Sequence, residues 1–266
     1  VAIDWRAYKL TASGSFPTNI KNQTYHFYKA EGTSYYCTDI DIPQSQAIAT
    51  NTTWENVSIT NKITIEDGAI LAINGLIGCS DVDNLVIKEG GQLIHNNAGV
   101  KATLEKEIEG YGSTNESWYT ISSPLMGNVA LSDVESLIPT TNNYDLYRYD
   151  EPTSVWQNVK QTSNNFANLE NGRGYLYANE YDATLSFAGE LNGDDVTYHL
   201  SKTENIVLSG FHLIGNPFTH NIYKGVGAAI DDNNLAAGYY TLSDAGAWGA
   251  KISDDIPIAP GQGILV

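Results

Sequence analysis

Carboxylates are the most abundant reactive groups in this chain, with 31 Asp and Glu against 14 Lys and Arg. Three adjacent pairs, Asp194-Asp195, Asp231-Asp232 and Asp254-Asp255, raise the question of glycosidic cleavage, which uses two carboxylates roughly 5 to 10 Å apart. Each pair sits in a turn-like segment, and neighbours on an extended chain point to opposite faces. They read as solvated turn residues. Asp81 with Asp83, and Asp39 with Asp41, have the i, i+2 spacing that could set two oxygens on a calcium ion. The Asp/Asn/Gly ladder of a calcium loop is missing, so these also read as turn carboxylates.

The five histidines, His26, His95, His199, His212 and His220, form no H-x-x-x-H or H-E-x-x-H group, the spacings that bring two imidazoles to one metal. His212 and His220 flank Asn216-Pro217 and read as surface residues particular to one repeat. Cys37 and Cys79 lie 42 positions apart with no C-x-x-C pair. A zinc site is not expected, while one disulfide and two buried thiols both stay open. Ser122-Ser123 lacks the G-x-S-x-G elbow of acyl transfer. Gly172-x-Gly174 and Gly261-x-Gly263 lack the third glycine and strand-to-helix setting of a nucleotide loop, and read as tight turns. No catalytic, cofactor-binding or metal-binding residue is assigned. Trp156 and Trp248, with Tyr147, Tyr149, Tyr239 and Tyr240, could stack on sugars or anchor an interface. They recur at matching repeat positions, so core packing is the first expectation.

Whatever positions these groups is built from strands. Tyr (17) and Gly (24) are abundant and Met occurs once, a composition that suits strands and turns. A formal charge of -17 repels nucleic acid and anionic membrane surfaces. No apolar run reaches the roughly 18 residues that span a bilayer, so membrane insertion is not expected. The chain opens on Val1, which favours a removed leader or excision from a longer protein. N-x-[ST] triplets at Asn22, Asn51, Asn56 and Asn115 carry no weight in an Asn- and Thr-rich chain.

Two internal repeats organise the sequence. Residues 63–75 (ITIEDGAILAING) match residues 85–97 (LVIKEGGQLIHNN) at an offset of 22, each reading strand, acidic-Gly bend, strand. Stacked coils of a β-solenoid have this form, with Trp54–Ile59 supplying part of a preceding coil. Ile63, Ile65, Leu71, Ile73, Leu85, Ile87 and Leu93 should point inward. The longer repeat pairs Trp118–Leu125 with Phe211–Phe218, Tyr147–Asp150 with Tyr239–Leu242, Trp156 with Trp248, and Gly172–Gly174 with Gly261–Gly263, at offsets of 89 to 93. Its second copy stops at Val266, roughly 25 to 35 residues short of a full unit, which favours truncation. Helix signals are sparse: Leu131–Ile138, stopped by Pro139, predicts one or two turns, and Ser45–Ala49 another.

The run from Asp67-Gly68 through Gly90-Gly91 to His95–Val100, then Trp118–Pro124, Gly172–Tyr175 and Gly261–Gly263, resembles a recurrent arrangement in large secreted, adhesin-like proteins of Bacteroidetes-type bacteria. In those proteins such a region commonly precedes a C-terminal sorting domain of the type IX secretion pathway, and no catalytic residues travel with it. The resemblance spans about residues 55 to 266. The expected fold is all-β, a short β-solenoid-like N-terminal part followed by duplicated β-sandwich-like units. The expected divisions are 1–54, an N-terminal β segment; 55–110, solenoid-like repeats; 111–205, a first β unit; and 206–266, a second, truncated one. The expected function is a non-catalytic, secreted or cell-surface module binding a protein or glycan, without a cofactor. The alternatives are a carbohydrate-binding or carbohydrate-active protein and a structural spacer within a longer chain.

Overall fold

A computed structural model describes residues 45–112, 117–224, 230, 235, 236, 238–243, 246–251 and 256–266, together with the backbone of strands β1 (Thr24–Lys29) and β2 (Tyr35–Ile42). The chain is nearly all β; among the described residues helix is confined to three-residue 3-10 turns. Alternating Ile-x-Ile and Leu-x-Ile segments build the first part, because alternation on a pleated strand buries one face. Its strands are β3 (Gln46–Ile48), β4 (Thr52–Trp54), β5 (Asn56–Ile59), β6 (Ile63–Ile65), β7 (Ile70–Ile73), β8 (Ile77–Cys79), β9 (Leu85–Ile87), β10 (Gln92–Ile94) and β11 (Lys101–Ile108).

These strands stack in three parallel ladders, β2-β5-β8, β4-β7-β10 and β3-β6-β9-β11. Successive passes of the chain visit the ladders in one order. The 22-residue offset is the pairing register: Ile63 lies beside Leu85, Ile65 beside Ile87 and Leu71 beside Leu93. The preceding pass is shorter, with Ile48 opposite Ile65 and Trp54 opposite Ile73. Leu71 and Leu93 are both 0% exposed, and full burial of such a side chain stabilises by roughly 1.5–3 kcal/mol. The Ser45–Ala49 segment is the strand β3 and not a helical turn. Parallel pairing with β6 supplies the backbone partners that a single isolated turn would lack.

Strand β11 joins this part to the next. One edge pairs parallel with β9, and the other pairs antiparallel along its whole length with a later strand, Ala183–Glu190. In chain order the later strands are β12 (Tyr119–Ile121), β13 (Val129–Ala130), β14 (Val134–Glu135), β15 (Tyr144–Asp150), β16 (Val155–Asn158), β17 (Asn168–Leu169), β18 (Tyr175–Asn179), β19 (Ala183–Glu190), β20 (Leu213–Gly215), β21 (Tyr239–Leu242), β22 (Trp248–Lys251) and β23 (Gly263–Leu265). A six-stranded sheet, β14-β19-β11-β9-β6-β3, therefore runs through both parts, over one apolar core from Ile48 to Leu191. The segment 131–138 holds a 3-10 turn at Leu131–Asp133 and then β14, where pairing with Phe187 and Ser186 ends the helical geometry.

The longer repeat appears as two four-stranded antiparallel sheets of matching order, β12-β18-β15-β16 and β20-β23-β21-β22. Thr120 and Ile121 pair with Leu176 and Tyr175, as Leu213 and Ile214 pair with Leu265 and Ile264. The copies also clasp each other reciprocally. Ser122 N–H donates to Gly261 O (2.9 Å) and Gly215 N–H to Gly172 O (3.0 Å). Both acceptors sit in positive-φ turns, Gly172 at 79° and Gly261 at 67°, a region costly for a residue with Cβ. Asn192, buried between the copies, donates from Nδ2 to the carbonyls of both repeat prolines, Pro124 (3.2 Å) and Pro217 (2.8 Å).

One sequence equivalence shifts by a residue. Tyr147 lies opposite Leu176 and Tyr240 opposite Leu265, so the partner of Tyr147 is Tyr240, not Tyr239. Burial decides the register: Leu146 and Tyr239 face the cores, and their neighbours Tyr147 and Tyr240 face outward. At that offset of 93, Tyr119 and Gly127 are the counterparts of His212 and His220.

Candidate functional site

Among the described residues no cluster of carboxylates, histidines and cysteines forms that could hold a metal. Asp194 and Asp195 are exposed, while Asp231-Asp232 and Asp254-Asp255 lie outside the described residues. Asp81 Oδ1 accepts from the Asp83 N–H (3.1 Å) and caps the 3-10 turn Val82–Asn84. The side chains of Asp39, Asp41, His26 and Cys37 lie outside the described residues. Cys79 is a buried free thiol that donates to Asp81 O (3.3 Å), and burial raises its pKa. Ser122 Oγ donates to Asn216 O (2.8 Å), a structural use of the hydroxyl. The sequon residues Asn51 and Asn56 accept from the N–H groups of Ile70 (3.0 Å) and Leu76 (2.6 Å) and so help hold successive passes together.

Aromatic residues do converge. Trp118, Tyr147, Trp156 and Leu176 of the first sheet unit meet Leu242, Gly246 and Trp248 of the second around an open cleft of about 320 Å³. Strand order explains the meeting. Trp118 precedes β12, Tyr147 lies on β15, and Trp156 and Trp248 lie on the outer hairpin strands β16 and β22. Trp118 and Tyr147 have ring centroids 6.1 Å apart at 49°. Their counterparts Phe211 and Tyr240 repeat this at 6.1 Å and 48°. Trp156 packs on Tyr149 (5.1 Å), and Trp156 and Trp248 flank a small apolar cluster of Tyr149, Leu213 and Leu265. Both tryptophans are half-buried, so each packs with one part of the indole and lines the cleft with another. The expected core packing is met in part: these rings pack on that cluster and also line the open cleft at the joint between the copies.

Two further polar features stand apart from the cleft. The segment Thr219–Asn221 lies along β10: Leu93 N–H donates to Thr219 O (2.9 Å), Thr219 Oγ1 to Leu93 O (2.8 Å), and Asn221 N–H to Gln92 Oε1 (2.8 Å). His220 thereby comes to His95. His95 is only 9% exposed, its Nδ1 accepts from Asn97 N–H (3.3 Å), and its Nε2 has no partner among the described residues. Burial, and then the neighbouring His220, lower its pKa from 6.5 to about 4. Burial lowers that of His220 as well. His212 is buried against the Ser201 backbone (2.8 Å) and is not a surface residue, while His220 is half-buried.

Glu151, 1% exposed, closes the β15–β16 hairpin onto residues 201–210. It accepts from the N–H groups of Thr203 and Gly210 (both 2.8 Å) and from the hydroxyls of Ser201 and Thr203 (both 3.0 Å). Those backbone N–H bonds hold its carboxyl down at about 2. Compared with family models, curated proteins and solved structures, the chain matches none of them.

Proposed function

We propose that this chain is a non-catalytic, secreted or cell-surface module that binds its ligand through the aromatic cleft between its two repeated sheet units. The observation carrying this reading is the cleft itself. Three tryptophans and a tyrosine, drawn from two segments nearly a hundred residues apart, stand half-buried around one open space. Large aromatic faces left in contact with water are the groups that most strengthen binding interfaces. In this reading the parallel ladders are a short β-solenoid that carries the site, and the paired antiparallel sheets form a β-sandwich-like unit that shapes it. The resemblance to adhesin-like secreted proteins supports the location and the place within a longer chain. Carbohydrate binding is the second reading, favoured by indole faces on which sugar rings stack.

The test is a panel of glycans and matrix proteins probed with the wild-type chain and with the double variant Trp118→Ala/Trp248→Ala. Binding by the wild type that the variant loses supports the proposal. Equal binding by both places the ligand face elsewhere. Silence of the wild type across the panel favours a structural spacer.

A further inference from the structure

We propose that the cleft accepts an alkylated ammonium group, the chemistry of choline-like small molecules; this deepens the binding reading above and rests on it. The walls are the rings of Trp118, Tyr147, Trp156 and Trp248, completed by Leu176 and Leu242. None of the described lining residues is charged, and the polar atoms of their side chains are indole N–H groups and one phenol. A sugar ring in this cleft would bring several hydroxyls that need acceptors, and each hydroxyl desolvated without a partner is penalised. An alkylated ammonium ion has no such demand. Its methyl groups pack as apolar surface, and its charge is attracted to the electron-rich ring faces.

The geometry fits a head group better than a flat platform. Trp118 and Tyr147 meet at 49° with centroids 6.1 Å apart, so they form adjoining walls. About 320 Å³ of cleft lies at the small end of ligand sites, which span roughly 300–1,000 Å³. That volume suits one compact group better than an oligosaccharide. Charge adds selectivity for a cation, since the chain carries a formal -17. Such a field concentrates cations near the surface and weakens with salt.

The experiment titrates the full chain with choline chloride and with its uncharged carbon isostere, 3,3-dimethylbutan-1-ol, following the indole 15N–1H signals. Choline is expected to shift the signals of Trp118, Trp156 and Trp248 and to bind at least about tenfold more tightly than the isostere. Trp118→Leu keeps apolar contact but removes a ring face. It should cut that preference at least about fivefold, with melting temperature read on the same samples. If Trp118→Leu fails to fold, Tyr147→Leu makes the same test. Equal or tighter binding of the isostere overturns the cation assignment and leaves an apolar binding cleft standing. No shift by either probe also overturns it, and the glycan and matrix-protein panel then decides separately whether the cleft binds anything.

Discussion

Acidification should loosen the joint between β10 and residues 219–221, through His95. In the fold its pKa lies at about 4 against an ordinary 6.5. Between those values the unfolded chain holds a proton that the folded chain refuses, so stability is complete above pH 6.5 and declines as pH falls toward 4. The shift is 6.5 − 4, or 2.5 pH units, which at about 1.4 kcal/mol per unit is roughly 3 kcal/mol. By pH 5 the expected loss is about 2 kcal/mol, before most carboxylates begin to titrate. Protonation also removes the Nδ1 lone pair that accepts from Asn97 N–H. His220 lies beside His95, and its charge would further oppose protonation there. Urea unfolding from pH 7 to 5, for the wild type and for His95→Gln, measures this directly. The wild type should lose about 2 kcal/mol and the variant clearly less. Parallel curves for the two proteins would refute the burial argument for His95.

Leu93→Ala should destabilise by about 2–5 kcal/mol, as for a fully buried leucine whose site cannot collapse, and urea unfolding at pH 7 checks it; a loss below about 1 kcal/mol would mean that the ladders do not enclose a packed core. Asn192→Ala removes the amide shared by Pro124 and Pro217 and should cost about 1–3 kcal/mol, with faster amide exchange at Ser122 and Gly215. Glu151→Gln should release residues 201–210: the amides of Thr203 and Gly210 exchange faster while those of β12 do not change. The wild type should show the same local loosening only as pH falls below 4.5 toward 2, because a lowered carboxyl pKa stabilises above its ordinary value and is lost on acidification.

The sequence made periodic features legible and left spatial ones hidden. The 22-residue match of Ile63 and Ile65 with Leu85 and Ile87 appears as pairing register because each pass must place its apolar residues over those of the last. The order Trp118, Pro124, Trp156, Gly172 recurs in the second copy, and the two sheets share one strand order. The slip from Tyr239 to Tyr240 could not be read, since both are tyrosines and only burial says which faces in. Ser45–Ala49 misled because five residues carry too little pattern to outweigh a parallel partner. The cleft joins Tyr147 to Trp248 and the histidine pair joins His95 to His220. Neither pair shares a local spacing that would reveal it, and only the folded register brings them together.

Indole 15N–1H spectra recorded across the panel of glycans, matrix proteins and organic cations show whether the aromatic cleft is the ligand face. Trp54 serves as an internal reference, because it is only 3% exposed beneath the parallel ladders. A ligand is predicted to shift the indoles of Trp118, Trp156 and Trp248 together and to leave that of Trp54 in place. Binding that leaves those three signals unmoved would put the ligand face elsewhere on the molecule.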